Sequence, residues 1–363
     1  MKIPRKILKP MVDRLLPICQ RRTTIPMLKH LCVTITAKRI GIDATSIEEY
    51  MSLSAECDAE PSAFCVNAQQ FARLVDAADD MVEFNIKGSS LIFSGQGEAE
   101  LQILDAKDFP SAPKDELKQI ILNAEDLLNV VKSVVWGLEF VRTTETDQRK
   151  LGLHILTAAK KILAEYQNGS FFVGNFLPSM AGDMDVIVLR EFTNNLVEML
   201  SGKDAKIFVG KNHLSVSNAD GRWFCKLAET AFPSSAVDEI VNQNWVELGI
   251  ILPEEVLPHL NLCHSFSTDN GDHIDLDFTK KGLRISYNNS NTSVDSPFKY
   301  EAEVPGKYAE QRLRYNLRYL LESVKRLNDE GSPIKVLTKE QHIKFTADNR
   351  PMAVIAGMAR PKE

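Results

Sequence analysis

Residues 67–93 read NAQQFARLVDAADDMVEFNIKGSSLIF, and this stretch holds the plan that decides the fold. Phe71, Leu74, Val75 and Ala78 recur at helical spacing, so Asn67 to Asp79 is predicted to be an amphipathic helix. Val82, Phe84 and Ile86 then alternate as a strand does, Lys87-Gly88-Ser89-Ser90 supplies a turn, and Leu91 and Phe93 return. The segment closes at Phe109-Pro110-Ser111. The same order of signals begins again at Arg190, with Phe192, Leu196, Met199 and Leu200 on one helical face. Ile207 and Val209, a turn at Gly210-Lys211-Asn212, then Leu214 and Val216 follow, and this copy closes at Phe232-Pro233-Ser234. A third copy starts near Asn316 with Leu317, Leu320, Leu321, Val324 and Leu327. Ile334 and Val336, a turn near Lys339-Glu340, and Ile343 and Phe345 then lead to Val354 and Ile355. Helix followed by hairpin is a common motif, but three copies in one order mark an internal duplication.

Each copy carries an earlier helix as well, over Lys9–Cys19, Ala124–Trp136 and Pro253–Leu262. Pro253 suits the first helical position, and Glu254 and Glu255 favour a first turn. Strand-like runs at Leu31–Ile35, Ile155–Thr157, Ile274–Phe278 and Leu283–Tyr287 lie between the early and late helices. The predicted class is α+β, with three repeated domains each setting two helices against antiparallel sheets. Polar connectors at 115–118 and 238–244 put the domains at 1–117, 118–240 and 241–363.

Composition narrows the function. The chain has 363 residues, a formal net charge of -6 and 44% hydrophobic residues, so it is a folded protein without bulk attraction for nucleic acid. Its six cysteines are scattered without a C-x-x-C pair, which argues against a disulfide framework or a structural zinc and for buried free thiols. The seven histidines show no ligand-like spacing; His259 and His264 lie five apart without a third partner. No phosphate loop, dinucleotide fingerprint or nucleophile elbow occurs, so neither an enzyme nor a cofactor or metal is expected. No long apolar run is present, and the expectation is a cytoplasmic protein with no membrane partner.

A curved array of like domains that closes on itself leaves no sheet edge unpaired. A closed ring can hold DNA topologically with only a weakly positive inner wall, which an acidic chain can supply. Helix-borne cations are the candidates for such phosphate contacts: Arg21 and Arg22 near the N-terminus, and Arg318, Lys325 and Arg326 on the third late helix. Lys6, Lys9 and Arg14 lie upstream of the first pair, and Arg312 and Arg314 precede the second group. Helix surfaces are ordinarily charged, so the argument concerns the group and not any single residue.

Several segments together resemble the bacterial DNA polymerase III β subunit family, the three-domain DNA sliding clamps. The stretch Arg22-Thr23-Thr24-Ile25-Pro26-Met27-Leu28-Lys29-His30-Leu31 is similar to that family's opening. Gly41 to Glu48, Val66 to Phe71, Ala106 to Pro110, Val188 to Glu191, Tyr315 to Leu320 and Met352 to Met358 follow in the family's order. The resemblance thins over 118–180 and 244–310. It implies the DNA clamp fold and a processivity factor: a head-to-tail homodimer forming a ring around double-stranded DNA, docking a DNA polymerase and a clamp loader. It implies a subunit contact through Ala99 and Leu101 on one side and Leu262 and Cys263 on the other. It also implies a partner-peptide cleft at Thr157, Ala159, Lys160, Lys161, Ile162, Pro233, Val237, Val354, Ala356 and Met358. There the family's Thr-Asp-Gly-His-Arg-Leu run corresponds to Thr157-Ala158-Ala159-Lys160-Lys161-Ile162, without its glycine, histidine or arginine. An altered peptide preference is therefore expected. The rival reading is a clamp-fold scaffold for other proteins that does not encircle DNA.

Overall fold

The computed structural model describes residues 2–19, 23–94, 98–158, 161–179, 182–251, 256–267, 272–279, 282–288, 292–299, 310–328, 334–346 and 352–357. Its packing forms two compact units: Met1–Leu128 with Glu191–Leu227, and Asn129–Arg190 with Ala228–Glu363. The architecture is α+β, with helices laid over open antiparallel sheets.

The first unit is built on a twelve-stranded sheet whose edges are Lys2–Pro4 and Lys118–Ile120. Helix α1 (Arg5–Leu15) buries Leu8, Met11, Val12 and Leu15, and α2 (Ala68–Ala77) buries Ala68, Phe71, Ala72 and Val75. The Asn67 side chain caps α2 by accepting the Gln70 amide at 3.1 Å, so the predicted helix begins at its cap and stops two residues early. The hairpin of Met81–Lys87 and Ser90–Ser94 follows, turning through Gly88 at φ 59°. Phe71 and Phe84 both meet Phe93, at centroid distances of 5.8 and 5.7 Å, so the helix and hairpin of the quoted stretch share one core.

At the middle of this sheet, strand Glu49–Glu56 of the first repeat pairs with Gly221–Lys226 of the second, with Trp223 opposite Met51. The buried Glu49 carboxylate ties the seam, accepting from Trp223 Nε1 at 2.7 Å and Asn195 Nδ2 at 2.6 Å. Burial raises its pKa and the two donors hold it down. A Cβ on Gly221 would lie 2.0 Å from the Ser52 carbonyl oxygen, and backbone cannot step aside as a side-chain tip can. Gly221→Val is therefore expected to cost about 1–3 kcal/mol, read as a lower thermal midpoint; an unchanged midpoint would mean that the seam tolerates separation.

The second unit carries an eight-stranded sheet and a four-stranded one. The larger runs from Met184–Leu189 through Gly152–Ala158, Lys161–Gln167, Phe171–Leu177, Met352–Ala356, His342–Thr346 and Lys335–Lys339 to Val246–Ile251. The smaller is ordered Ser293–Lys299, Gly282–Asn288, His273–Thr279, Glu310–Asn316. Helix α3 (Ala124–Val134) spans the division between the units, as does α5 (Arg190–Leu200), while α4 (Gln148–Leu151) and α6 (Ser234–Val241) belong to the second. Helix α7 (Val256–Ser265) packs with α8 (Leu317–Asn328), which buries Leu317, Leu320, Leu321, Val324 and Leu327 as its periodicity predicts.

Several local expectations shift. Helix α1 begins at Arg5, four residues before the predicted start, runs through Pro10 and ends at Leu15, four residues before the predicted end. The helix at Ala124 ends at Val134 and tightens into a 3-10 turn over Val135–Phe140. The segment expected to be a polar connector from Asp238 is still helical to Val241. Residues 252–255, with Pro253, lie outside the described residues. All six cysteines are buried free thiols, as their apolar neighbours suggest; burial pushes Cys19 up to about 12.

Candidate functional site

The site begins with a hairpin in the second unit. Strands Lys161–Gln167 and Phe171–Leu177 pair antiparallel and turn through Asn168-Gly169-Ser170, with Gly169 at φ 87°. That backbone favours glycine, and Asn168 Oδ1 secures the turn by accepting the amides of Ser170 (3.1 Å) and Phe171 (2.9 Å). Strand Phe171–Leu177 then pairs with Met352–Ala356, placing Phe172 opposite Val354. Helix α6 closes one side. Its end is held by Trp245 Nε1, which donates to the carbonyls of Ile240 and Val241 at 3.2 Å, and by Lys344 Nζ, 3.4 Å from the Val241 oxygen. Lys344 also lies 5.4 Å from the Trp245 ring, and burial lowers its pKa.

Between hairpin and helix is a cleft of about 190 Å³, lined by Phe171, Phe172, Pro233, Ala236, Val237, Ile240, Val354 and Ala356, with Gln167, Gly169, Ser170 and His342 supplying polar groups. Beneath it Phe172, Ile187, Phe232, Val237 and Val354 form one buried cluster. The buried His154 lies deeper still: its ring stacks on Phe232 at 4.2 Å and 12°. His154 Nδ1 is 2.7 Å from Glu165 Oε1 and Nε2 is 2.8 Å from Asp185 Oδ1. Carboxylates only accept, so both contacts are complete when each ring nitrogen carries a proton. The triad fastens three adjacent strands below the phenylalanine that leads into Pro233 and α6. Apolar walls with a few peptide-bonding groups at the rim suit the side chains of an extended segment. Among the described residues no group of three or more His, Cys, Asp or Glu could hold a metal ion.

Of the predicted cleft residues, Pro233, Val237, Val354 and Ala356 line the cleft. Thr157, Lys161 and Ile162 sit instead on the preceding hairpin, where Thr157 pairs with Ile162. Thr157 is buried and donates to the Gly182 carbonyl, Ile162 is buried, and exposed Lys161 points over the Phe176 ring at 6.0 Å. Ala159, Lys160 and Met358 lie outside the described residues. The turn that lines the cleft is Asn168-Gly169-Ser170, one hairpin later, and it retains a glycine. An Asn-Gly pair between alternating apolar runs was the signal for it.

Among the DNA-contact candidates, Arg21 and Arg22 lie outside the described residues. Lys325 is exposed on α8, Arg326 stands 3.6 Å from Glu139 and 3.8 Å from Glu322, and Arg318 stacks 5.4 Å from the Phe140 centroid. Arg312 and Arg314 are strand residues paired with Asp277 and Asp275, at 2.9 Å each. Lys9 is paired with Asp13 and Asp76, and Arg14 with Glu198 at 2.7 Å; Lys6 is exposed. For the interface candidates, Ala99 is partly exposed and Leu101 buried on strand Glu98–Leu104, while on α7 Leu262 is 44% exposed and Cys263 buried.

No family model and no curated protein matches the sequence. Solved structures match its whole length. The DNA polymerase sliding clamp of Caulobacter crescentus is 17% identical with a TM-score of 0.86, covering 99% of each chain. The DNA polymerase III subunit beta of Pseudomonas aeruginosa is 15% identical with a TM-score of 0.86, again covering 99% of each. The Helicobacter pylori beta clamp, solved with 3,4-difluorobenzamide, is 13% identical with a TM-score of 0.85 over 99% of this chain and 100% of that one. This chain has the fold of the bacterial DNA polymerase III β sliding clamps, carried by a sequence widely diverged from theirs.

Proposed function

We propose that the protein is a non-catalytic DNA polymerase processivity factor: three domains (1–117, 118–240, 241–363) per chain, two chains closing head to tail around duplex DNA. The observation that carries this is the match in fold to sliding clamps over 99% of both chains; the step from fold to activity is analogy. An apolar cleft bounded by a rigid hairpin and a capped helix adds independent support, because it is the kind of surface on which a polymerase or loader can seat a short segment. Closure would use Ala99 and Leu101 on one subunit and the α7 face at Leu262 on the other. Particle mass in solution tests the assembly: the ring requires twice the 40.7 kDa of one chain. A monomer at micromolar concentration would favour a scaffold that does not encircle DNA, a reading that the many compensated helix cations also suit.

DNA contact would fall to the cations of α8, exposed Lys325 and half-buried Arg318. Arg318→Glu with Lys325→Glu should lower DNA association and reduce its salt slope by about one for each phosphate no longer neutralised. Lys325 is exposed and Arg318 stacks at a surface, so the circular dichroism spectrum should persist. Unchanged association at every salt concentration would remove α8 from the DNA-facing surface.

A further inference from the structure

We propose that Cys32 and Cys65 form an oxidation site, joined by hydrogen peroxide into a reversible disulfide that staples two strands of the first repeat. Strands His30–Ile35 and Ser62–Asn67 pair antiparallel with Cys32 directly opposite Cys65, so both side chains leave the same face of the sheet. On its other side His30–Ile35 pairs with Arg39–Thr45, and there Cys32 stands opposite Asp43. The Thr36 amide donates to the Arg39 carbonyl at 2.8 Å, and hydrogen-bonded pairs alternate from there through Thr34 and Gly41 to Cys32 and Asp43. The backbone groups of Cys32 are thus turned to Asp43, which leaves Cys32 and Cys65 as a non-hydrogen-bonded pair. Opposed residues of that kind have Cα atoms about 4.5 Å apart, inside the span of roughly 4.4–6.8 Å that disulfides occupy. The bond can form without a change of register.

The two thiols are not equivalent. Cys32 is 6% exposed and Cys65 is 0% exposed, so an oxidant meets Cys32 first. The Cys65 thiol donates a hydrogen bond to the Cys32 sulfur, which lowers the Cys32 pKa and raises that of Cys65. Burial and the Asp43 charge oppose the Cys32 thiolate, and the Cys65 hydrogen bond outweighs them. Burial raises the other four, Cys19, Cys57, Cys225 and Cys263, so Cys32 is the thiol favoured to ionise. Its thiolate attacks one peroxide oxygen, the O–O bond breaks, and the departing hydroxide takes up the proton that Cys32 gave up. The Cys65 sulfur then attacks the sulfenic sulfur of Cys32, breaking its S–O bond, and the second hydroxide leaves as water with the Cys65 proton. Two thiols lose two electrons, and one peroxide becomes two waters. The charges of Asp43, Asp105 and Asp108 bear on the pair. Together with burial they disfavour an anionic oxidant such as glutathione disulfide and leave access to a small neutral one.

For the test, the full chain is reduced, freed of reductant and treated with hydrogen peroxide, and its thiols are counted with a maleimide under denaturing conditions. Two of the six should be lost and then restored by dithiothreitol, and a peptide map should join Cys32 to Cys65 within one chain. Glutathione disulfide at the same concentration should leave all six. Cys65→Ala should remove the crosslink and leave a sulfenic acid on Cys32 that dimedone captures. The staple encloses the chain between 32 and 65 and restricts its unfolded state, so the oxidised protein should unfold at higher urea than the reduced one. That shift should be absent from Cys65→Ala. Six thiols retained, a different pair joined, or Cys32 oxidised further without a crosslink overturns the proposal, and the native chain alone gives these readings if the variant does not fold. A mixed disulfide with glutathione at Cys32 overturns the choice of oxidant. An oxidised protein that unfolds at the same or lower urea overturns the staple.

Discussion

His154→Ala should lower the unfolding free energy by about 3 kcal/mol or more, because removing one partner of a buried polar pair leaves the other without compensation. The stranded group would be Glu165, 5% exposed, and the Phe232 ring would lose its stacking surface in the same step. Asp185 makes the opposite case. Its side chain is 69% exposed and water can take its place, so Asp185→Asn should cost under about 1 kcal/mol. Urea unfolding of the two variants beside the native chain measures both. Equal midpoints for the two substitutions would show that the triad is not the fastening it is taken to be. A second consequence is local. With Phe232 loosened, Pro233 and α6 lose support, and His154→Ala should weaken peptide binding even where the protein remains folded.

The larger effect on binding is expected from Val237→Asp. Val237 is 6% exposed, on the inner face of α6, and both the cleft wall and the cluster below it depend on it. A carboxylate there must either be desolvated by an apolar ligand or hold water where that ligand should sit. Loss of affinity by about thirtyfold or more is expected, the size seen when a central anchor is removed. Ile121→Asp is the matched control, since Ile121 is 81% exposed and does not line the cleft. Anisotropy titration with a fluorescent peptide that carries two adjacent large apolar side chains separates them. Parallel losses in the two variants would mean that the peptides bind elsewhere or that the measured loss is nonspecific.

The fold was legible because its signals are periodic. Phe71 and Val75, Leu196 and Met199, and Leu320 and Val324 are buried where their spacing puts them. The hairpins after each late helix carry their own turn residues, Gly88 in the first copy and Glu340 at φ 51° in the third. The two Phe-Pro-Ser closures look alike in sequence yet differ in environment. Phe232 is buried on His154, whereas Phe109 follows a short 3-10 turn and is only partly buried. A motif of three residues does not carry its own burial.

The candidate site was half legible. Pro233, Val237, Val354 and Ala356 fall in the cleft because they belong to long, well-ordered signals. Thr157, Lys161 and Ile162 fall one hairpin before the cleft because two successive hairpins cross the same stretch. The feature that fixes the turn is backbone conformation, and the left-handed Gly169 reveals it. The triad at His154 was hidden for a different reason. Its members come from three strands, and no spacing in the chain announces a partnership made by sheet register. Cations look alike in the sequence, but Arg14 on α1 and the strand residues Arg312 and Arg314 each have a carboxylate opposite them that only the fold supplies.

Retention on DNA tests the central claim most directly. The protein is loaded onto nicked circular duplex, free protein is removed at high salt, and the circle is then cut once. A clamp that holds DNA by topology stays on the closed circle through the salt wash and is released when the DNA becomes linear. Retention that survives linearisation, or salt-labile binding that is the same on circles and linear fragments, would contradict encirclement and leave a scaffold that shares the clamp fold.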